Sequence, residues 1–424
     1  MKLRRLIYLI ATFAAVLLVG NFLQSGGESR QYSENYPELV CPNIGGAQTQ
    51  VSLTSSKTPV RFLPAKKYNF VAAKSNRLLT KESSVIIDAQ GTSAMAWISK
   101  SGLWAGGVNC LAPQAKQFFV GATGDVSSKA KLVIVNAGLS SSIVDVFTYS
   151  EGSSLKKTIT VSKNQLATLS VVALAPGAKS VAMQVVPRTG RVTSYLVDER
   201  VKGLKNLGGD VVNSQSELGK TLLIPGIAHN VSSKTHVLRV LNPGPASTLI
   251  TVEVLSKDGR YIPVGLDGRK VANGKVSDIS FEFDSKLPSF GLRITSDQPI
   301  AASVYSRNGS DFVWSTAVKP GAIGTWAITG LDPNLQFIGD QIKVEVTALM
   351  PAKKKISKTL IGTDYLTYNL PKGAIGLKIN KISDNTSGSL IVSSQSGLGY
   401  LPLVNGSVLT RSTVPTANIG VLNP

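Results

Sequence analysis

The sequence predicts an all-β protein, an N-terminal transmembrane helix followed by tandem β-sandwich modules. Three observations predict it. Beyond residue 25 apolar side chains recur at alternate positions, as in Val144-Asp145-Val146-Phe147, Thr251-Val252-Glu253-Val254 and Ile342-Lys343-Val344-Glu345-Val346. These runs are rich in β-branched residues, which suit a pleated, half-buried surface. Turn-forming residues punctuate the chain about every ten positions, the spacing of sandwiches. Several short stretches also occur more than once, which signals a repeated supersecondary unit.

The elements follow in order. Residues 1–24 form a membrane anchor or signal segment. Lys2, Arg4 and Arg5 precede an apolar run from Leu6 to Leu23, broken only by Thr12, Gly20 and Asn21. As a helix such a run rises about 27 Å, close to the hydrocarbon thickness of a bilayer. The basic residues favour a cytoplasmic N-terminus. A cleaved signal peptide has a shorter core and an Ala-x-Ala-like exit. Here the core is long and Val19-Gly20-Asn21-Phe22-Leu23-Gln24-Ser25 lacks that exit, which favours an uncleaved anchor. The chain is then single-pass with its β modules extracytoplasmic, or secreted if the segment is cleaved. Residues 25–50 read as a linker, with Ser25, Gly26, Gly27 and Ser29 flexible and Pro37 and Pro42 breaking regular structure. An atypical β module is expected over 51–125, sandwich modules over 126–215 and 216–324, and a C-terminal β module over 325–424.

Only two cysteines are present, Cys41 and Cys110. In an exported protein two cysteines usually pair. A bridge between them closes a loop worth about 4 kcal/mol on the chain-entropy model. The alternative is two unrelated buried thiols.

Self-comparison supplies the module boundaries. Lys131-Leu-Val-Ile-Val-Asn136-Ala-Gly138 resembles Leu238-Arg-Val-Leu-Asn242-Pro-Gly244, and an acidic-glycine turn follows in each, Glu151-Gly152 and Asp258-Gly259. A strand enters a tight turn four times, at Ser101-Gly102, Thr189-Gly190, Asn308-Gly309 and Ser396-Gly397. Glycine there supplies the positive φ that hairpins need. The run Leu132–Val135 looks buried on both faces.

The order Leu132-Val-Ile-Val-Asn-Ala-Gly138, Leu223-Ile-Pro-Gly226, Leu241-Asn-Pro-Gly244, Lys257-Asp-Gly259 and Ser296-Asp-Gln-Pro-Ile-Ala301 resembles the DUF5719 family. The resemblance covers most of residues 40 to 320 and, less clearly, the last hundred. It implies an exported, β-rich actinobacterial protein of the cell envelope with an N-terminal membrane segment. It implies no activity and no catalytic residues.

The search for chemistry finds little that converges. His229 and His236 are the only histidines, and no cysteine or acidic pair accompanies them. Zinc needs three or four converging ligands, so they read as surface or turn residues and no metal site is expected. No Gly-x-Ser-x-Gly elbow is followed by suitable partners, and no glycine-rich loop leads into a helix. Carboxylate catalysis would fall to Asp198, Glu199 and Asp210. Neighbours on a strand point to opposite faces, so Asp198 and Glu199 do not converge readily, and the plainer reading is a turn plus an exposed edge charge. Trp97, Trp104, Trp314 and Trp326 are expected to cap cores rather than stack on sugars.

Charge is the stronger signal. The chain carries 45 Lys plus Arg against 25 Asp plus Glu, a formal +20. Setting aside Lys2, Arg4 and Arg5 leaves +17 on the exported part. Density peaks at Lys353-Lys354-Lys355 with Lys358, a candidate polyanion-binding site, and a generic soluble surface is the competing account. Outside a cell the polyanions are acidic lipids, wall polymers and glycans, not nucleic acid. The sequence therefore reads as a non-enzymatic, membrane-anchored envelope protein, without cofactor, that binds anionic wall polymer or a membrane partner in wall assembly. The alternatives are a scaffold or accessory subunit for a surface-glycan synthesis enzyme, and a carboxylate-dependent glycan hydrolase.

Overall fold

Leu132, Val133, Ile134 and Val135 are each at most 2% exposed. Leu132 and Ile134 enter one apolar cluster while Val133 and Val135 enter another. Alternate side chains of a strand point to opposite faces, so a continuous apolar run means packing on both. That rule organises the whole chain, which a computed structural model describes over residues 32–100 and 102–413. The expected membrane segment 1–24, residues 25–31 of the linker and Ser101 lie outside the described residues. Among the described residues no helix is long and apolar enough to cross a membrane. The described residues are nearly all β, with one four-residue helix at Val171–Leu174 and one 3-10 turn at Pro351–Lys353 among them. One small unit is a ladder of Tyr32–Asn35 with Thr410–Thr413. The second unit, Tyr36–Val408, holds the remainder.

Within that second unit the first sheets are two antiparallel sets of four strands. One runs Trp104–Asn109, Met95–Lys100, Gln48–Ser52, Arg77–Thr80, and the other Leu39–Cys41, Ser84–Ile87, Pro59–Leu63, Val71–Ala72. They share one core containing Val51, Val60, Ile86, Trp104 and Val108. Cys41 and Cys110 lie in it, fully buried and joined as a disulfide. The next two sets are Gln117–Val120, Val181–Thr189, Ser142–Ser150, Ser154–Val161, and Gln165–Ser170, Lys131–Asn136, Thr193–Lys202, Lys205–Val212. Their core includes Phe119, Ile134, Val146, Met183 and Leu196.

The last two assemblies are each built on one long strand. Ser289–Asn308 pairs through its first half with Thr248–Ser256 and Gly219–Ala228, and through its second half with Thr235–Asn242 and Asp311–Thr316. Asn334–Leu349 pairs along its length with Lys355–Asn369, through its first half with Ser387–Ser394 and through its second with Gly376–Ile382. Gly324–Ala327 adds to that sheet and pairs in parallel with Thr92–Ser93 near the start of the chain.

The repeated turns share their geometry. Asn136 Oδ1 accepts from the Gly138 amide at 2.9 Å, and Asn242 Oδ1 accepts from Gly244 at 3.1 Å. Each Asn also donates to a carbonyl four residues on, Ser140 at 2.8 Å and Ala246 at 2.9 Å. These are side-chain mimics of a backbone turn. Gly102, Gly190, Gly309 and Gly397 all have positive φ. One of the four expected hairpins is not a hairpin: at Thr189-Gly190 the chain crosses from one sheet to the other. The corresponding hairpin is Thr193–Lys202 with Lys205–Val212, turning at Gly203.

The strands Trp104–Asn109, Lys205–Val212, Asp311–Thr316 and Gly397–Pro402 are edge strands, each the second arm of a hairpin. They pack around one line, each against two of the others. Glycine permits it. A Cβ on Gly106 would fall 2.4 Å from Asp210 Oδ1 and 2.9 Å from the Val211 amide, and one on Gly399 would fall 2.7 Å from the Gly107 amide.

Replacing Gly106 by alanine should therefore lower unfolding free energy by about 3 kcal/mol, because the contact includes backbone that cannot swing aside. Gly45→Ala, whose Cβ meets nothing within 4 Å, should change it by less than about 0.5 kcal/mol. Urea unfolding followed by tryptophan fluorescence distinguishes the two.

Candidate functional site

The strands Asn334–Leu349 and Lys355–Asn369 form the longest hairpin among the described residues, and the lysine run sits at its tip. Pro351 starts a 3-10 turn, and Ala352 and Lys353 adopt positive φ to close it. Lys353, Lys354, Lys355 and Lys358 are all exposed. None of the four makes an ion pair among the described residues. The Lys358 ammonium lies 5.1 Å from the centre of the Tyr368 ring. Other cations are engaged: Lys156 and Arg188 both hold Asp145, at 3.0 and 2.7 Å. The structure thus groups the predicted lysines into one unneutralised projection.

The carboxylates behave differently from expectation. Asp198 and Asp210 are direct cross-strand partners, and both are buried, at 0% and 1% exposed. They are neither turn nor exposed edge residues, because their strands lie where the four edge strands meet. Asp210 accepts from the Val211 amide at 2.8 Å and the Trp314 amide at 2.7 Å. Asp198 accepts from Arg200 at 2.7 Å and from the Trp314 indole at 3.0 Å. The Arg200 guanidinium lies over Tyr305 and Phe312, 4.9 and 4.8 Å from the ring centres. Glu199 points to the other face and meets Lys100 at 2.5 Å.

Sequence reasoning missed a third member, Asp311, which accepts from the Gly209 amide at 2.9 Å. Burial pushes its carboxyl up to about 6, and the amides of Gly209, Phe312 and Ala105 offset this only in part. Its second oxygen has no well-formed hydrogen bond. Burial also raises Asp210 well above the ordinary range, and the nearby charges of Asp311 and Asp198 add to the effect. Two buried carboxyls with elevated protonation, Asp210 and Asp311, resemble an acid–base centre. Yet Asp198, Asp210 and Asp311 line none of the three main cavities. Asp210 and Asp311 serve backbone amides of edge strands that no neighbouring strand satisfies, while Asp198 is held by Arg200 and the Trp314 indole.

The histidines are also a correction. His229 and His236 are 8% and 1% exposed, not surface residues. Their Nδ1 and Nε2 atoms lie 3.1 Å apart. His229 Nε2 meets the Ser285 carbonyl at 3.0 Å, and His236 Nδ1 meets Ser306 Oγ at 2.8 Å. Phe281, Phe283 and Phe290 surround them. Burial lowers His236 to about 4, so the pair is neutral near pH 7. Among the described residues no group of three metal-ligating side chains occurs. All four tryptophans are at most 8% exposed and belong to cores.

A model described as a family of unknown function, DUF5719, matches residues 72–359, more than half of the chain. No curated protein matches the chain. The crystal structure of Thermotoga maritima 1070 is similar to 24% of this chain and 97% of its own, at 17% identity and a TM-score of 0.22.

Asp311 gives a pH test. Its folded-state pKa, about 6, exceeds the unfolded 3.8, so above pH 6 its buried charge destabilises the fold. That cost is relieved as pH falls through 6 toward 3.8. Asp311→Asn lacks this response. Between pH 7 and 4.5 the stability difference should move by about 2 kcal/mol in favour of the native chain. The titration of His236 is common to both proteins and cancels. Urea titrations of both across that range check the sign.

Proposed function

This chain belongs to the DUF5719 family, a family of unknown function, and from that premise we propose that it is a non-enzymatic envelope protein that binds anionic polymer. In this reading its paired sheets are tandem sandwich modules, held on the outer side of a membrane by the segment 1–24. The lysine hairpin is the contact surface. The observation that carries it is the exposure of Lys353, Lys354, Lys355 and Lys358 without an ion-paired acid among the described residues. Four exposed cations near one hairpin tip, with no acid paired to them among the described residues, are the arrangement that a polyanion neutralises at least cost in desolvation. Two further features support binding over hydrolysis. The carboxylates that sequence reading would use for glycan cleavage are already engaged: Asp210 by the Val211 and Trp314 amides, Asp198 by Arg200 and the Trp314 indole, and Glu199 by Lys100. Glycosidic hydrolysis needs two carboxyl groups flanking a substrate cleft. The exposed acids around the open groove at Asp258, Glu282 and Asp284 include one already held by Lys234 at 2.5 Å.

Retention of the intact chain on polyphosphate-coated beads tests the proposal. At about 50 mM salt, where exposed charges are weakly screened, the native chain should be retained, and raised salt should release it. Replacing all four lysines by glutamine should weaken retention about tenfold, since each exposed cation adds only a modest increment. No retention of the native chain, or equal retention of the variant, would contradict the proposal.

A further inference from the structure

A cleft of about 530 Å³ lies between the long strand Ser289–Asn308 and the sheet built on Asn334–Leu349. The alternation that makes that sheet also makes the cleft. Leu335, Phe337, Leu390 and Val392 face the core, so Asn334, Gln336, Ile391 and Ser393 face outward. Register places Asn369 opposite Asn334 and Thr367 opposite Gln336. The floor is therefore a flat array of amides and hydroxyls, two residues apart along each strand. The array is fixed from below. The Tyr365 hydroxyl sits between Ser289 Oγ, at 2.7 Å, and Gln336 Oε1. Gln336 Nε2 donates to Asn334 Oδ1, and Asn334 Nδ2 donates to Asn369 Oδ1. Tyr365, Ser289 and Gln336 are at most 5% exposed. On the rim stand two exposed cations, Arg307 and Lys257, neither of them in an ion pair among the described residues.

We infer that this cleft binds a saccharide unit bearing an anionic group. A pyranose ring presents hydroxyls that both donate and accept, at separations of a few ångströms. An amide offers both functions from one rigid group, and a ladder of amides matches such hydroxyls without a buried charge. The cleft volume suits a ligand of one to three rings. Arg307 and Lys257 then select a carboxylate or phosphate substituent at the edge, where a guanidinium can grip it bidentately. The inference rests on a different surface from the lysine hairpin, although it gives the same class of polymer a second, shape-selective contact.

Calorimetric titration of the intact chain with tetragalacturonate and with glucose 1-phosphate tests it at about 150 mM salt, where loose charge attraction is screened. At least one should bind in the submillimolar range. Maltotetraose, with no anion, and inorganic phosphate, with no ring, should each bind at least about tenfold more weakly. Arg307→Gln with Lys257→Gln should cost at least about tenfold, and Thr367→Trp should fill the floor and abolish binding. Both variants alter exposed or half-buried positions, and circular dichroism verifies their folding. The four-lysine hairpin variant should bind as the native chain does, which keeps failure here distinct from failure of the hairpin reading. Absence of binding to both anionic saccharides would overturn the inference. So would equal affinity for phosphate alone or for maltotetraose, or binding untouched by Thr367→Trp.

Discussion

Four edge strands with their backbones in contact set the conditions for everything else in Tyr36–Val408. An edge strand presents amides and carbonyls that no ladder satisfies. This chain buries four such edges against each other rather than leaving them in water. Close approach requires glycine, and Gly106, Gly107, Gly209, Gly397 and Gly399 provide it. The buried backbone groups then need partners. Asp210 serves the Trp314 amide and Asp311 serves Gly209. Asn213 Nδ2 donates to the carbonyls of Gly107 and Tyr400, each at 3.0 Å, and Asn109 Nδ2 donates to that of Pro402 at 2.7 Å. Each of these bonds joins strands from different assemblies. The junction explains why Asp210 and Asp311 are buried without a cation beside them, held by backbone amides instead.

The same burial shapes the outer field. Carboxyls drawn into the junction, with Asp210 and Asp311 pushed toward the neutral form, contribute little negative charge outside. Arg239 and Arg61 are likewise internal, at 3% and 2% exposed. Arg239 holds Asp278 at 2.7 Å and donates to the carbonyls of Ala122 and Val181. What remains outside is dominated by lysine, and the hairpin tip at Lys353–Lys355 is its densest point.

Much of this was legible in the sequence. Alternation marked the strands, and the uninterrupted run Leu132–Val135 foretold packing on both faces. Asn136 and Asn242 were recognisable as one turn because a side-chain mimic of a turn is local. The pairing of Cys41 with Cys110 followed from their number and expected compartment. What escaped reading was long-range. Asp198, Asp210 and Asp311 look like ordinary edge charges until Trp314, more than a hundred residues from the first two, is placed beside them. Thr189-Gly190 looked like a hairpin because glycine reports a positive φ and not where the next strand goes. Asn334-Leu-Gln-Phe337 was not singled out in the sequence, because only the neighbouring Ser289–Asn308 turns its polar face into a cleft.

The account stands on the junction acting as one structural unit, so its direct test is calorimetry of the intact chain. If the four edge strands hold the assemblies together, residues Tyr36–Val408 should unfold in a single transition whose calorimetric and van't Hoff enthalpies agree. Gly106→Ala should lower that one transition without splitting it. Separate transitions in the native chain, or loss of the first assembly alone in the variant, would contradict the account.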